Sequence, residues 1–494
     1  MSPVISRRAF TAGMMATIGL CGVGHARQDL LIAPDVLCSD FDELYERLAR
    51  VHFDLFAHRS RAEHDALHAA LRERMTRSMP VDEAIRLFQR FVAFGRVAHS
   101  RIDAASDAYR AFRQAGGPAF PLTLRVRDDR VFIMTNASDQ SELAPGDEVL
   151  SIEGERATTF IDGLWSDLSA DTRYMFHSMI EWELPRLIWQ RLGAVPAIRL
   201  KISRYGEDGR EVLVRTRTRA EMGAATSQIP LLDPAASDRT WRLIDDAIGY
   251  FRPGPFYAAE NPDAMYDNTA FVGLVDRAFS DLIDKGAGKV IIDLRDNPGG
   301  DNSFSDHLVS WFADRPFRFA SAFRIKVTPE TVASNAARLS VAGNDPTGIS
   351  AKLAEAYGRA RAGEIIDFPI PIAQPRAGHR YSGEVFVLVN RHSYSNTVSV
   401  ASLIQDYGFG TILGEETSDL ATTYGAMESF TLSRTGIVVG YPKARIVRIS
   451  GDLTGRGVVP DVSIETPVVE TPDDPVLQRA ISLVRSSTSA GPSK

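Results

Sequence analysis

The 494-residue chain predicts an α/β fold with helices ahead of it and a β-rich segment between, on three observations. First, Lys289–Arg295 and Gly383–Val389 are almost continuous apolar, β-branched runs, the pattern of strands buried on both faces. Each opens into a turn and then a helical pattern, from Ser305 to Phe312 after the first and from Val398 to Tyr407 after the second, which stops at Gly408. Second, from about Asp40 to Arg96 the apolar residues recur at helical spacing: Phe41, Leu44, Leu48, Val51 and Leu55, then Leu67 and Leu71, then Val81, Ile85, Leu87 and Phe91. Third, from Phe120 to about Thr218 the pattern turns to strands, beginning with Leu122–Val126 and Arg130–Met134.

The two turns carry the chemistry. Asn390-Arg391-His392-Ser393-Tyr394-Ser395-Asn396-Thr397 puts serines on a sharp strand-to-helix turn, next to the free backbone N–H groups of a helix start. That is the arrangement of an activated nucleophile beside an oxyanion site. The plainer reading is that Ser393 or Ser395 caps the helix. The other turn, Asp296-Asn297-Pro298-Gly299-Gly300-Asp301-Asn302, has a glycine pair that lets the backbone approach a ligand and turn its N–H groups outward. One turn with a serine and one with a glycine pair suggest a single site at the strand ends of an α/β sheet.

These runs also carry a family resemblance. Ile291-Ile292-Asp293-Leu294-Arg295-Asp296-Asn297-Pro298-Gly299-Gly300 resembles the signature of the tail-specific, or carboxyl-terminal processing, serine proteases. Val387–Ser395, then Gln405–Gly408 and Ile412–Thr417, is similar to that family's nucleophile block, and Gly457-Val458-Val459-Pro460-Asp461 to its final element. The resemblance spans roughly Asp245 to Ile464. It implies a crotonase-like ββα catalytic core and a peptidase activity on polypeptides, with Ser395 as nucleophile. The N–H of Asn396 and that of Gly299 or Gly300 would form the oxyanion hole. The better-known branch pairs its serine with a lysine, but the matching position here is Leu420, and the next lysine is Lys443 in a strand-like run. The tricorn-like branch instead uses a histidine ahead of a PDZ-like segment, and His99 stands at that place. Its local rival is His392. That branch also places a glutamate before the final element; the aligned residue is Thr454, and the nearest carboxylate is Asp452. An acid there would orient the histidine. With that acid missing, the alternative is a non-catalytic peptide- or lipophile-binding protein on the same fold.

Leu143–Gly154 resembles the late strands of a PDZ domain, although Phe160–Leu192 adds helical length that a compact one lacks. At the N-terminus, Ser6-Arg7-Arg8-Ala9-Phe10 is a twin-arginine pattern, followed by an apolar run from Ala12 to Val23 and then Gly24-His25-Ala26. The run is too short to span a bilayer and reads as a bacterial Tat-type export signal. The expected location is therefore periplasmic or secreted. Residues 1–26 hold two arginines and no acid, so the rest carries −9 against −7 for the whole chain, which argues against nucleic acid or an anionic membrane as main partner. Cys21 and Cys38 are the two cysteines; with the signal removed, one remains and no internal disulfide can form. His64 and His68 stand at i, i+4, but no third ligand is spaced to join them, and no metal or organic cofactor is expected. The division expected is 1–26 signal, 27–117 helical domain, 118–222 PDZ-like domain, 235–480 catalytic domain with an insertion at about 317–380, and 481–494 polar tail.

Overall fold

The two apolar runs become neighbouring parallel strands, Lys289–Asp293 and Glu384–Val389, paired with Asp293 opposite Leu388. The computed structural model describes residues 31–204, 206–224, 238–245, 247–261, 264–341, 348–469 and 471–487. The expected export signal, with Cys21, and the end of the polar tail lie outside these residues.

The sheet has six strands in the order Val462–Ser463, Thr411–Gly414, Glu384–Val389, Lys289–Asp293, Ile248–Arg252 and Thr240–Ile244. All neighbours are parallel except the last pair. Alternate side chains point to opposite faces, and both faces are covered, which explains the unbroken apolar runs. Val290, Ile292, Val385, Val387 and Val389 pack under the helices Thr269–Asp284, Asn302–Ser310 and Asn396–Tyr407. Ile291, Phe386 and Leu388 pack against the C-terminal helix Pro475–Ser486 through Leu477, Ala480, Ile481 and Val484. Because the two central strands end in register, the turns after Asp293 and Val389 leave the same edge of the sheet side by side.

The segment expected to be an insertion is woven into a second sheet. Its strands Ala322–Lys326 and Ile365–Asp367 join Val438–Val447 and Thr423–Thr431 in a four-stranded antiparallel sheet. The N-terminal helices Pro34–Val51, Arg61–Arg72 and Val81–Phe94 do not close a core of their own. Phe41, Leu44, Phe88 and Phe91 share one with Phe430, Val439 and Tyr441 of that second sheet. The β-rich segment is an antiparallel sheet in the order Leu122–Arg127, Arg130–Asn136, Glu148–Ile152, Ala197–Ser203 and Arg210–Arg215, with the helix Arg173–Leu192 packed on it. Among the described residues, no helix is long and apolar enough to cross a membrane.

One carboxylate joins the β-rich segment to the central sheet. Glu181, fully buried on the helix Arg173–Leu192, receives two 2.8 Å hydrogen bonds from Arg125 and one of 3.1 Å from Arg391. His392 Nε2 lies 3.1 Å from its other oxygen, and His392 Nδ1 lies 3.2 Å from Asp296. Burial alone would raise the Glu181 carboxyl, but Arg125, His392 and Arg391 reverse this and hold it well below the usual range. Burial would likewise strip His392 of its proton, yet Glu181 and Asp296 together hold it at about 9. Replacing Glu181 by Gln leaves buried cations uncompensated, and the expected loss is about 3–5 kcal/mol of stability, read by calorimetry. The pH dependence follows in sign. A histidine raised from its ordinary value to about 9 contributes stability in full below about pH 6.5 and loses it as pH rises through 9. Unfolding temperatures should fall over that interval in the native protein and lose this slope in Glu181→Gln.

Candidate active site

Ser395 is the N-cap of the helix Asn396–Tyr407, but its side chain makes no capping bond. Its backbone has φ 55° and ψ −124°, a region that costs a non-glycine residue about 1–3 kcal/mol. Three contacts hold that geometry. The Ser395 N–H donates to Asp419 Oδ2 at 2.6 Å. The Tyr394 N–H donates to the Asn297 carbonyl at 3.0 Å. Gly299, at φ +89°, packs so closely that a Cβ there would lie 2.7 Å from the Tyr394 carbonyl oxygen, 2.8 Å from the Asn396 nitrogen and 2.9 Å from the Ser395 Cβ. The two turns predicted from sequence therefore lock against each other.

The neighbouring serine has a different task. Ser393 is fully buried, its hydroxyl donates to the Leu294 carbonyl at 2.8 Å, and it accepts the Asn390 N–H at 3.2 Å. It staples the turn to the strand, whereas the Ser395 hydroxyl has no partner among the described residues. The candidate oxyanion donors also separate. The Gly299 N–H is taken by Asn297 Oδ1 at 3.0 Å. Those of Gly300 and Asn396 have no partner among the described residues. Gly300 reaches its position through the Phe256 backbone, which accepts the next N–H, that of Asp301, at 2.8 Å.

His99 arrives from the N-terminal part of the chain on a loop tied at every side. The Ala98 N–H donates to Asp171 Oδ2 at 3.0 Å, Arg101 and Gly440 exchange backbone hydrogen bonds, and the Ile102 N–H donates to Gln89. The imidazole is buried and stacks on Tyr394, the residue before the serine, with centroids 5.6 Å apart and planes at 19°. Burial, helped by the Arg101 charge, lowers its pKa to about 4, so the ring is neutral at physiological pH. His392 cannot be the base: it is a buried cation, paired as described above. Lys443 donates to Glu428 at 2.5 Å, a carboxylate shared with Arg338. Leu420 is buried and apolar where the lysine branch has its base.

Asp452 closes its own turn. Asp452 is exposed, its Oδ1 accepts the Thr454 N–H at 2.9 Å, and its Oδ2 accepts the Thr454 hydroxyl at 3.0 Å. The carboxylates buried around this site are two that no motif singles out, Asp419 and Asp171. Asp419 accepts the N–H groups of Ser395 and Leu420, and burial pushes it up to about 6. Asp171 is pushed up to about 7 by burial and by the charge of Asp419. Asp419 directly precedes Leu420, the position matched to the absent lysine, and that adjacency is the signal that could have found it. Nothing near Asp171 in the sequence signals its burial here.

A strained serine on a strand-to-helix turn, facing a glycine turn with an unpartnered N–H, is an arrangement that serine hydrolases use. Residues 266–464 match the family model described as Peptidase family S41, so this part of the chain is an S41 peptidase domain and the protein a serine peptidase. No curated protein matches the chain by sequence at a significant level. Among solved structures, mature CPAF complexed with lactacystin is similar at a TM-score of 0.60 and 17% identity, covering 91% of this chain and 98% of that one. A second structure of mature CPAF gives 0.59 and 18%, covering 87% and 94%. The photosystem II D1 C-terminal processing protease is a looser match, with a TM-score of 0.44 and 16% identity over 87% of this chain and 95% of that one. The likeness to CPAF establishes a common fold along almost the whole chain.

Gly299 is the position where a single methyl should be decisive. Gly299→Ala must push the Ser395 turn away or abandon φ +89°, so kcat/KM should fall by about 100-fold or more while the rest of the fold survives. Steady-state kinetics alongside far-ultraviolet circular dichroism would check this.

Proposed function

We propose that the protein is an exported serine-type peptidase that cleaves peptide bonds with Ser395 as nucleophile, His99 as general base and a backbone oxyanion hole. The observation that carries this is the strained Ser395, its hydroxyl unengaged, together with a buried neutral imidazole that stacks on Tyr394, the residue before it in the chain. In the first step the Ser395 Oγ–H proton moves to His99 Nε2 as Oγ bonds to the carbonyl carbon. The carbonyl π electrons move onto oxygen, where the N–H groups of Gly300 and Asn396 receive the charge. The imidazolium then protonates the departing amine, and water repeats the cycle on the acyl-enzyme. Gly299, its N–H already taken, serves as the close-approach residue that leaves room for the Asn396 N–H. Export rests on the twin-arginine and apolar pattern of residues 1–26.

The β-rich segment 118–222 is assigned as the PDZ-like part and the central six-stranded sheet with its helices as the crotonase-like core, as the family resemblance implies. Peptide binding by the former is part of this proposal, through strand addition at a sheet edge.

A serine-directed fluorophosphonate should label the mature protein. Ser395→Ala should abolish labelling and keep the unfolding temperature, whereas Ser393→Ala should lower stability and leave Ser395 reactive. His99→Asn should slow labelling by about 1000-fold or more. A wild-type protein that never labels would favour the peptide- or lipophile-binding alternative, for which the missing acid at Thr454 is the motivating observation.

A further inference from the structure

We propose that Asp171 is the carboxylate that positions His99, taking the place of the acid that the chain lacks at Thr454. This rests on the serine–histidine reading above. Two unpartnered buried atoms motivate it: His99 Nδ1 and Asp171 Oδ1 each lack a hydrogen-bond partner. They are of complementary kind, since the neutral ring that accepts a proton at Nε2 carries its hydrogen on Nδ1. They are also close in the chain path, because the other oxygen of Asp171 already holds the N–H of Ala98, the residue before His99, at 3.0 Å. A buried donor and a buried acceptor both left unpaired are costly, and one hydrogen bond between them satisfies both. Catalytic hydrogen bonds of this type are often long in a substrate-free enzyme and tighten in the complex.

The other carboxylates around the loop are committed elsewhere. Both oxygens of Asp419 receive backbone N–H groups, Asp452 is held by Thr454, Asp103 pairs with Arg101 at 2.9 Å, and Asp296 pairs with His392. Asp171 is 8% exposed and sits immediately before the helix Arg173–Leu192, whose N-cap is Thr172. The acid thus comes from the β-rich segment, and the catalytic constellation is complete only when three parts of the chain meet. Taken singly, burial favours the neutral form of both groups, holding His99 near 4 and Asp171 near 7. The groups that bear on the titration are Arg101 on the histidine side and Asp419, Tyr394 and Tyr424 on the aspartate side.

In the working cycle His99 Nδ1–H donates to ionised Asp171 throughout, and the proton taken from Ser395 resides on Nε2. The carboxylate stabilises the imidazolium and fixes the productive tautomer. Asp171→Asn retains an oxygen for the Ala98 N–H but presents an amide donor to Nδ1, which selects the wrong tautomer.

The test is the pH profile of kcat and kcat/KM on an unstructured polypeptide for the mature full-length protein, Asp171→Asn and Asp171→Glu, with unfolding temperatures measured beside them. The expected result for Asp171→Asn is a fall in kcat of about 100-fold or more, with KM within about threefold, and an acidic limb moved to lower pH. Asp171→Glu should recover part of kcat and return the limb toward its original pH. An Asp171→Asn protein whose kcat stays within about threefold of wild type would overturn the proposal. So would a loss confined to thermal stability with the acidic limb unmoved, which would leave Asp171 as a tether for Ala98 alone. If wild type neither turns over nor labels at Ser395, the serine–histidine reading fails first and this proposal with it. Labelling that persists at Ser395 while Asp171→Asn leaves the profile unchanged sinks only the role of Asp171.

Discussion

The buried carboxylate of Glu181 is the interaction on which the geometry of the site depends. It is surrounded by Arg125 from the β-rich sheet and by Arg391 and His392 from the nucleophile turn. Taking these charges out of water is expensive, and their mutual attraction offsets that only in one arrangement. The cluster therefore specifies how the turn 390–395 sits relative to the β-rich segment. Arg391 reaches on to Glu415, and His392 to Asp296 in the turn after the strand Lys289–Asp293. Two strand ends and a separate sheet are referred to one point of charge.

With the turn so anchored, strain can be stored at Ser395. A positive φ at serine persists only where the surroundings over-determine it. Here Asp419 holds the N–H of Ser395, Ser393 staples the turn to Leu294, and Gly299 fills the space beneath. The strain leaves the hydroxyl unengaged and the first N–H of the helix open. Burial does the complementary work on His99. It removes the positive charge from the ring at physiological pH.

The second sheet explains why the histidine can come from the N-terminal helices at all. Those helices bury Phe41, Phe88 and Phe91 against Phe430 and Tyr441, so they cannot shift independently of the C-terminal strands. The loop between Phe94 and Ala104 is then fastened by Gly440 on that same sheet. His99 is delivered by packing, not by proximity in the chain.

The local pattern of the sequence determined the strands, the helices and the two turns. Unbroken apolar runs mark strands covered on both faces, and Gly299-Gly300 and Ser395 announce their backbone needs by residue type. The burial of His99 and its stacking on Tyr394 were not legible in the sequence. Which glycine N–H stays free, which serine staples its turn and which acid holds the Ala98 N–H were decided by tertiary structure alone. These depend on pairings between residues far apart in the chain: Asn297 with Gly299 is local, but Ser393 with Leu294 spans 99 positions and Ala98 with Asp171 spans 73. Asp452 lies near the final motif in sequence, but its carboxylate closes its own turn by accepting the local Thr454 N–H. A linear pattern reports burial and turn chemistry because those act within a few residues. It cannot report which buried polar atom meets which, because that is fixed only when the separate layers close on one another.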